Sequence, residues 1–247
     1  MNSFKRIIKK TLQGFGILVR KYNSATSDEL RRAKLLQHYG IDLVFDIGAN
    51  KGEYAIGIMD AGYEGRIVSF EPLSSAYSII GKQSMKYGDW ALAPRCAIGS
   101  SNSEIEINIS ANSVSSTLLN ILDLHIEGAP ESRIVAKEKV SVFSLDEIGP
   151  GFIGNAKNLF LKIDVQGFEQ EVLKGAEKMI AKAKGIEIEI SLIPLFEGQS
   201  WLLLEVLAYM KEKGFQLTSI VPAFTDHSTG KVLQCNGVFF RNGSSQS

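Results

Sequence analysis

Two stretches of this sequence carry residue types and spacings suited to chemistry. The first is Asp46-Ile47-Gly48-Ala49-Asn50-Lys51-Gly52, a glycine-bearing turn between the apolar run Leu43–Ile47 and a helical stretch reaching about Ala61. In open α/β sheets ligands bind at such turns. A pair of glycines alone makes only a tight strand-to-helix turn. Glu71 adds to it, closing the next strand (Arg66–Phe70) 23 residues after Gly48. That is near the ~20-residue offset of an acid that holds a ribose diol, and one carboxylate can accept from both hydroxyls. Asn50 stands at the second glycine position of the G-x-G-x-x-G pattern, where a pyrophosphate needs bare backbone. A ligand with a ribose but no phosphate needs no such clearance. S-adenosylmethionine (SAM) is one, and the loop favours it over a nicotinamide dinucleotide.

The second stretch follows the apolar run Leu159–Ile163, where Lys162, Asp164 and Gln166 alternate. A charge buried at a strand end without a partner is costly, so Asp164 has a role or a partner. It is the first candidate for a general base that takes a proton from an acceptor. The alternative is that Lys162 and Asp164 satisfy each other or cap the next helix. Glu187, Glu189 and Ser191 alternate with Ile186, Ile188 and Ile190, a polar row unexpected in a sheet covered on both faces. It either lines an acceptor pocket, with Glu189 as a second catalytic candidate, or marks an edge facing water. Asp164 with Glu189 would suit Mg²⁺, but no fuller cluster supports a metal and none is assigned. His38, His125 and His227 read as surface residues. No Cys/His metal spacing, P-loop lysine motif or G-x-S-x-G elbow is present.

Elements must position these groups. Strands are expected at 43–47, 66–70, within 90–98, at 104–109, 138–143, 159–163, 186–192, 216–221 and 237–241. Helices are expected at about 53–61, 74–86 (Ser74 as N-cap), 168–183 and 200–213. Alternation at this spacing implies βαβ units and a mainly parallel sheet with helices on both faces. An antiparallel insertion spans about 100–143, with a Ser- and Asn-rich loop and one short helix at 110–133. The boundaries are residues 1–40 for a basic amphipathic segment, 41–241 for the α/β domain, and 242–247 for a frayed tail.

The 247 residues hold 27 basic and 27 acidic side chains, with 45% hydrophobic residues. That composition is globular, and zero net charge argues against a protein that coats nucleic acid. Cys96 and Cys235 cannot make a disulfide framework, and no uncharged apolar run approaches the ~20 residues of a membrane span. The expected location is the cytoplasm. Residues 1–27 differ from the rest: Lys5, Arg6, Lys9, Lys10, Arg20 and Lys21 are basic, and no acid precedes Asp28. Apolar residues at 4, 7, 8, 12, 15, 18 and 19 share a helical face, although Gly14 and Gly16 weaken a helix by ~1 kcal/mol each. Such a segment suits peripheral contact with the inner membrane surface through residues 1–24, or else packs on its own domain.

In order along the chain, Val44–Tyr54 (VFDIGANKGEY), Ser69–Pro72 (SFEP), Ala97–Gly99 (AIG), Leu161–Glu169 (LKIDVQGFE), Val172–Ala176 (VLKGA) and Asn236–Phe240 (NGVFF) resemble the FkbM-type SAM-dependent methyltransferases. The resemblance covers about residues 43–241 and implies a Rossmann-like class I methyltransferase fold. It also implies O-methylation of a hydroxyl on a sugar, glycan or secondary metabolite. By position, Asp46 and Gly48 would face the methionine end of SAM, with Asn50 in the same loop. Glu71 would bind the ribose, and Cys96-Ala97, ending the third strand, would border the adenine. Gln166 stands where many relatives carry Glu. A nicotinamide-dependent oxidoreductase, a nucleic-acid methyltransferase and a non-catalytic SAM-fold module are the competing classes. The chain lacks the Asn/Asp-Pro-Pro-aromatic turn of base amino-methylation; it has Asp164-Val165-Gln166-Gly167 there.

Overall fold

The computed structural model describes residues 3–113 and 115–241; the tail at 242–247 lies outside the described residues. The strands are β1 (Leu43–Ile47), β2 (Arg66–Phe70), β3 (Trp90–Leu92), β4 (Ala97–Ile98), β5 (Ser103–Ser110), β6 (Ile134–Phe143), β7 (Leu159–Ile163), β8 (Ala183–Ser191), β9 (Phe215–Pro222) and β10 (Gln234–Arg241). The helices are α1 (Ser3–Gly14), α2 (Asp28–His38), α3 (Glu53–Asp60), α4 (Ser74–Ser84), α5 (Asp123–Gly128), α6 (Leu145–Ile148), α7 (Pro150–Ile153), α8 (Glu169–Lys174), α9 (Glu177–Lys182) and α10 (Leu203–Glu212). The main sheet runs β3-β2-β1-β7-β8-β10-β9, with β10 antiparallel to both neighbours and the other pairings parallel. It is the expected α/β fold, a Rossmann-like sheet covered on both faces. The chain moves outward from β1 to β3, then returns to the other side of β1 with β7. The β1/β7 junction is therefore the switch point, outside whose strand ends ligands bind.

Full burial of LVFDI and LFLKI on both faces follows from that coverage. Ala33 and Leu36 of α2 and Ala55 and Ile58 of α3 pack on one face, whereas Val172, Met179, Ile180, Val206 and Met210 pack on the other. α2, which the boundary at residue 40 sets outside the domain, thus shares its core. Ser27 caps this helix by accepting the Leu30 N–H at 3.2 Å.

Four local expectations are corrected. The third strand is two: β3 edges the main sheet, while β4, beyond Pro94, joins the separate β4-β6-β5 sheet of the insertion. Leu73 holds the cap position of α4, and the Ser74 N–H and hydroxyl bind Glu138 instead. The single helix expected at 168–183 is broken into α8 and α9. A Cβ at Gly175 would lie 1.9 Å from the Gly99 carbonyl oxygen, and the Asp146 carboxylate caps α9 by accepting the N–H groups of Lys178 and Met179 at 2.9 Å. The Glu187–Ser191 row does not edge the sheet, because β8 lies between β7 and β10.

That row belongs to a line of polar residues crossing the sheet in register: Ser69, Asp46, Lys162 and Glu187 on β2, β1, β7 and β8. All are buried. The Lys162 ammonium lies 3.3 Å from Asp46 and 3.5 Å from Asp164, and Arg32 of α2 reaches Glu187 at 2.7 Å. Burial opposes the lysine's charge, but Asp164 and Asp46 more than offset it and its pKa lies above the usual value. Burial raises the Asp46 carboxyl, with Lys162 acting against it. Deleting one partner of a buried pair costs about 3–5 kcal/mol. Lys162→Met is therefore expected to lose that much stability in urea unfolding at neutral pH. The deficit should shrink as pH falls, since protonating Asp46 removes the stranded charge. Adding Asp46→Asn should restore much of the loss.

Candidate active site

The β1–α3 turn is fixed by backbone conformation. Gly48 has φ +78°, and a Cβ there would lie 1.9 Å from the Asp164 carbonyl oxygen, so only glycine lets the two strand-end loops meet. Asn50 has φ +46°, a left-handed position that Asn tolerates better than most residues. Its N–H donates to Glu71 Oε2 at 2.7 Å, and the Leu73 N–H donates to Oε1 at 2.8 Å. The Glu71 carboxyl is 4% exposed and faces a cleft. Burial raises its pKa to about 7, with the two N–H groups pulling it down. Each oxygen spends one acceptor site on backbone and keeps another.

This first cleft encloses about 580 Å³ with its open mouth. Phe70, Cys96, Ala97, Ile98 and Phe168 form apolar wall, and Ile107, Ser113, Ser116 and Leu118 of the insertion cover it. No Lys or Arg is among the described residues lining it. Cys96 and Ala97 line the cleft, but Ala97 opens β4 of the insertion's sheet and Cys96 directly precedes it, so neither ends the third strand. Burial pushes the Cys96 thiol to about 11, which disfavours the nucleophilic thiolate form.

A second cleft opens toward α2 and α3 and encloses about 980 Å³ with its mouth. Arg32, Tyr54, Lys162, Glu187 and Asn236 line it, with Glu29 and Glu53. Gly48, Asn50 and Asp164 line both clefts. The two cavities therefore meet at one turn and one carboxylate.

Asp164 is held there from two sides. Lys162 approaches Oδ2, and the Gln166 amide donates to Oδ1 at 2.9 Å. The same amide donates to Glu189 Oε2 at 2.8 Å, and Gln234 donates to that oxygen at 2.9 Å. Glu189 lines neither cleft; it stands behind Gln166. Burial, followed by the charges of Asp164 and Glu169, raises the Glu189 carboxyl well above the carboxylate range. It thus supports Gln166 from behind, with Gln234 as its second amide donor. Glu169 accepts the N–H groups of Val165 and Gly167 at 3.1 Å, and burial raises it to about 7 against those bonds. Gln166 itself sits at φ +55°, and its carbonyl accepts the Thr117 hydroxyl at 2.5 Å. Asp46 lies below the turn, fully buried against Lys162, and lines neither cleft.

The structure brings Gly48, Asn50, Glu71, Cys96, Ala97 and Asp164 to cleft walls; it leaves Asp46 and Glu189 beneath them. Arg32 gave no sequence signal, because its partner Glu187 is 155 residues away. Tyr54 and Asn236 fall inside the FkbM-like motifs, but no spacing marks them as cleft residues. Gln166 stands out in the sequence only through its alternation with Lys162 and Asp164 and as a departure from Glu. His125, expected at the surface, is 2% exposed between Phe196 and Phe224; burial lowers its pKa.

The model of the FkbM methyltransferase domain matches residues 46–217, more than two thirds of the chain. No curated protein matches the sequence significantly. Among solved structures, the methyltransferase domain of bacterial CtHen1-C is similar at 9% identity and TM-score 0.47, over 90% of this chain and 100% of that one. The ribosomal protein L11 methylase of Lactobacillus delbrueckii subsp. bulgaricus is similar at 10% identity and TM-score 0.45, over 90% and 81%. The sheet order and the switch-point clefts are those of a Rossmann-like class I methyltransferase fold, and the chain belongs to the FkbM methyltransferase family.

Proposed function

We propose that this methyltransferase uses SAM, held in the first cleft, to methylate a hydroxyl of an uncharged acceptor held in the second. The meeting of the two clefts at Asp164 carries the reading. The first cleft fits an adenosyl sulfonium: Glu71 offers acceptor sites for a ribose diol, Cys96 and Ala97 offer apolar wall for a purine, and Asp164 adds negative charge. Without a lining cation among the described residues, it suits a pyrophosphate poorly. Bound there, SAM supplies an electrophilic methyl group on sulfur.

The chain's own part is placement and proton removal. Asp164, fixed by Lys162 and Gln166, is positioned to accept the acceptor's hydroxyl proton as the oxygen–carbon bond forms. Aligning donor and acceptor across a shared wall supplies the rest. In the second cleft both cations already face carboxylates, Arg32 with Glu187 and Lys162 with Asp46 and Asp164, while Glu29 and Glu53 add negative charge. A phosphate or nucleic-acid backbone would find no free cation among these residues. A sugar, glycan or hydroxylated secondary metabolite fits better.

Mass spectrometry of a candidate acceptor pool should show a gain of one methyl that depends on SAM. Asp164→Asn should lower turnover by about 10²–10⁴-fold while S-adenosylhomocysteine still binds. Retention of full turnover, or loss of binding with it, would remove the assigned role. Because a protonated Glu71 loses acceptor capacity, S-adenosylhomocysteine affinity should fall about tenfold per pH unit below 7 and level off above it. Calorimetry on Glu71→Ala should show at least a ~100-fold loss and no such pH dependence. Gln166→Glu would place a further carboxyl group against Asp164 and Glu189. The acid limb of the kcat–pH profile should then move up by about one unit.

A further inference from the structure

We infer that the N-terminal segment, residues 6–22, docks the enzyme on an anionic lipid bilayer. Every residue of it whose burial is described, except the half-buried Leu12, is exposed. Ile8 is 43% exposed, Phe15 77%, Leu18 55% and Tyr22 69%, with Ile17 and Val19 about half exposed. Arg6, Lys9, Lys10, Arg20 and Lys21 are exposed among them. Ile8, Leu12 and Phe15 follow helical spacing along α1 and past its end. Gly16, at φ +73°, then turns the chain into the apolar run Ile17–Val19. Contiguous exposed apolar residues rimmed by cations mark an interaction site.

Charge selects the occupant. Residues 1–27 hold six basic and no acidic residues, whereas residues 28–247 hold the other 21 basic residues against all 27 acids. The segment is +6 and the body −6. An anionic surface attracts the segment and repels the body, which restricts contact to this one end. A second copy pairing through the same segment would set +6 against +6. RNA would satisfy the cations but leave Phe15, Ile17, Leu18 and Val19 in water, whereas the headgroup boundary accepts both sets. No helix among the described residues is long and apolar enough to cross a membrane, so contact is interfacial.

The full chain should co-sediment with phosphatidylcholine vesicles containing phosphatidylserine, much less with phosphatidylcholine alone, and less as salt is raised. The quadruple variant K9Q/K10Q/R20Q/K21Q should lose about fivefold in partitioning per charge removed, and F15S/L18S should lose more than tenfold. Both should keep the wild-type thermal midpoint and S-adenosylhomocysteine affinity, because the altered side chains are exposed and remote from the clefts. Those controls separate a failure here from a failure of the proposed chemistry. Equal recovery with and without phosphatidylserine would overturn the inference. So would wild-type vesicle binding by F15S/L18S, or tighter binding to an RNA homopolymer that F15S/L18S leaves unchanged.

Discussion

The candidate site rests on one buried line of alternating charge. Asp46, Lys162 and Glu187 lie side by side on three neighbouring strands, and Arg32 closes the line from the helix above. Any one of these groups alone would be costly to bury. Together they alternate in sign, and the lysine at the centre touches three acceptors: Asp46, Asp164 and the Gly48 carbonyl at 3.3 Å. The last contact matters most for function, because it ties the glycine turn of β1 to the loop that ends β7. The two loops that frame both clefts are therefore held by one ammonium. Such a network favours a single registration of β1 against β7, since a one-residue slip would turn every charge into the opposite apolar core.

That arrangement also explains how much of the site was legible. Gly48, Glu71 and Asp164 are readable because each belongs to a local pattern: a tight turn, an acid at a strand end, a polar residue after an apolar run. Their roles depend on sequence neighbours and on the parity of a strand. Arg32 and Glu189 are different. Arg32 looks like any charged residue on a helix until α2 is packed over β8, and α2 carried no pattern that pointed to the sheet. Glu189 shares its strand face with Glu187, and parity places both correctly. What separates them is which side chain lies between each acid and solvent, Gln166 in one case and a cleft in the other. The break between α8 and α9 is likewise hidden, since Asp146 and Gly99 impose it from distant positions.

The two clefts differ in a way that suits their assigned ligands. The first has an apolar wall and one acid that can take up a proton near pH 7; the second is polar, with its cations already neutralised. Asp164 borders both, and its surroundings give it one cation and one amide donor. A carboxylate so placed suits the roles proposed for it, attraction of positive charge in the first cleft and removal of a proton in the second. The insertion contributes Ile107, Ser116 and Leu118 to the first cleft only. On the proposed assignment its coverage shields the donor, and acceptor selectivity falls to α2, α3 and β10.

Gln166 shows why that division depends on an amide rather than an acid. Asp164, Glu189 and Glu169 already crowd three carboxyl groups around one loop, and burial has pushed two of them up. A neutral side chain that donates to two of the three offsets part of this crowding. A glutamate at the same place would donate only if protonated, and a further proton in the cluster would compete with the one Asp164 is proposed to accept. The glutamine thus leaves Asp164 as the carboxyl of the trio that borders a cleft, with Glu189 held by the Gln166 and Gln234 amides and Glu169 by backbone N–H groups. On that account Gln166 fits the proposed chemistry, in which the proton-accepting role falls to a single residue.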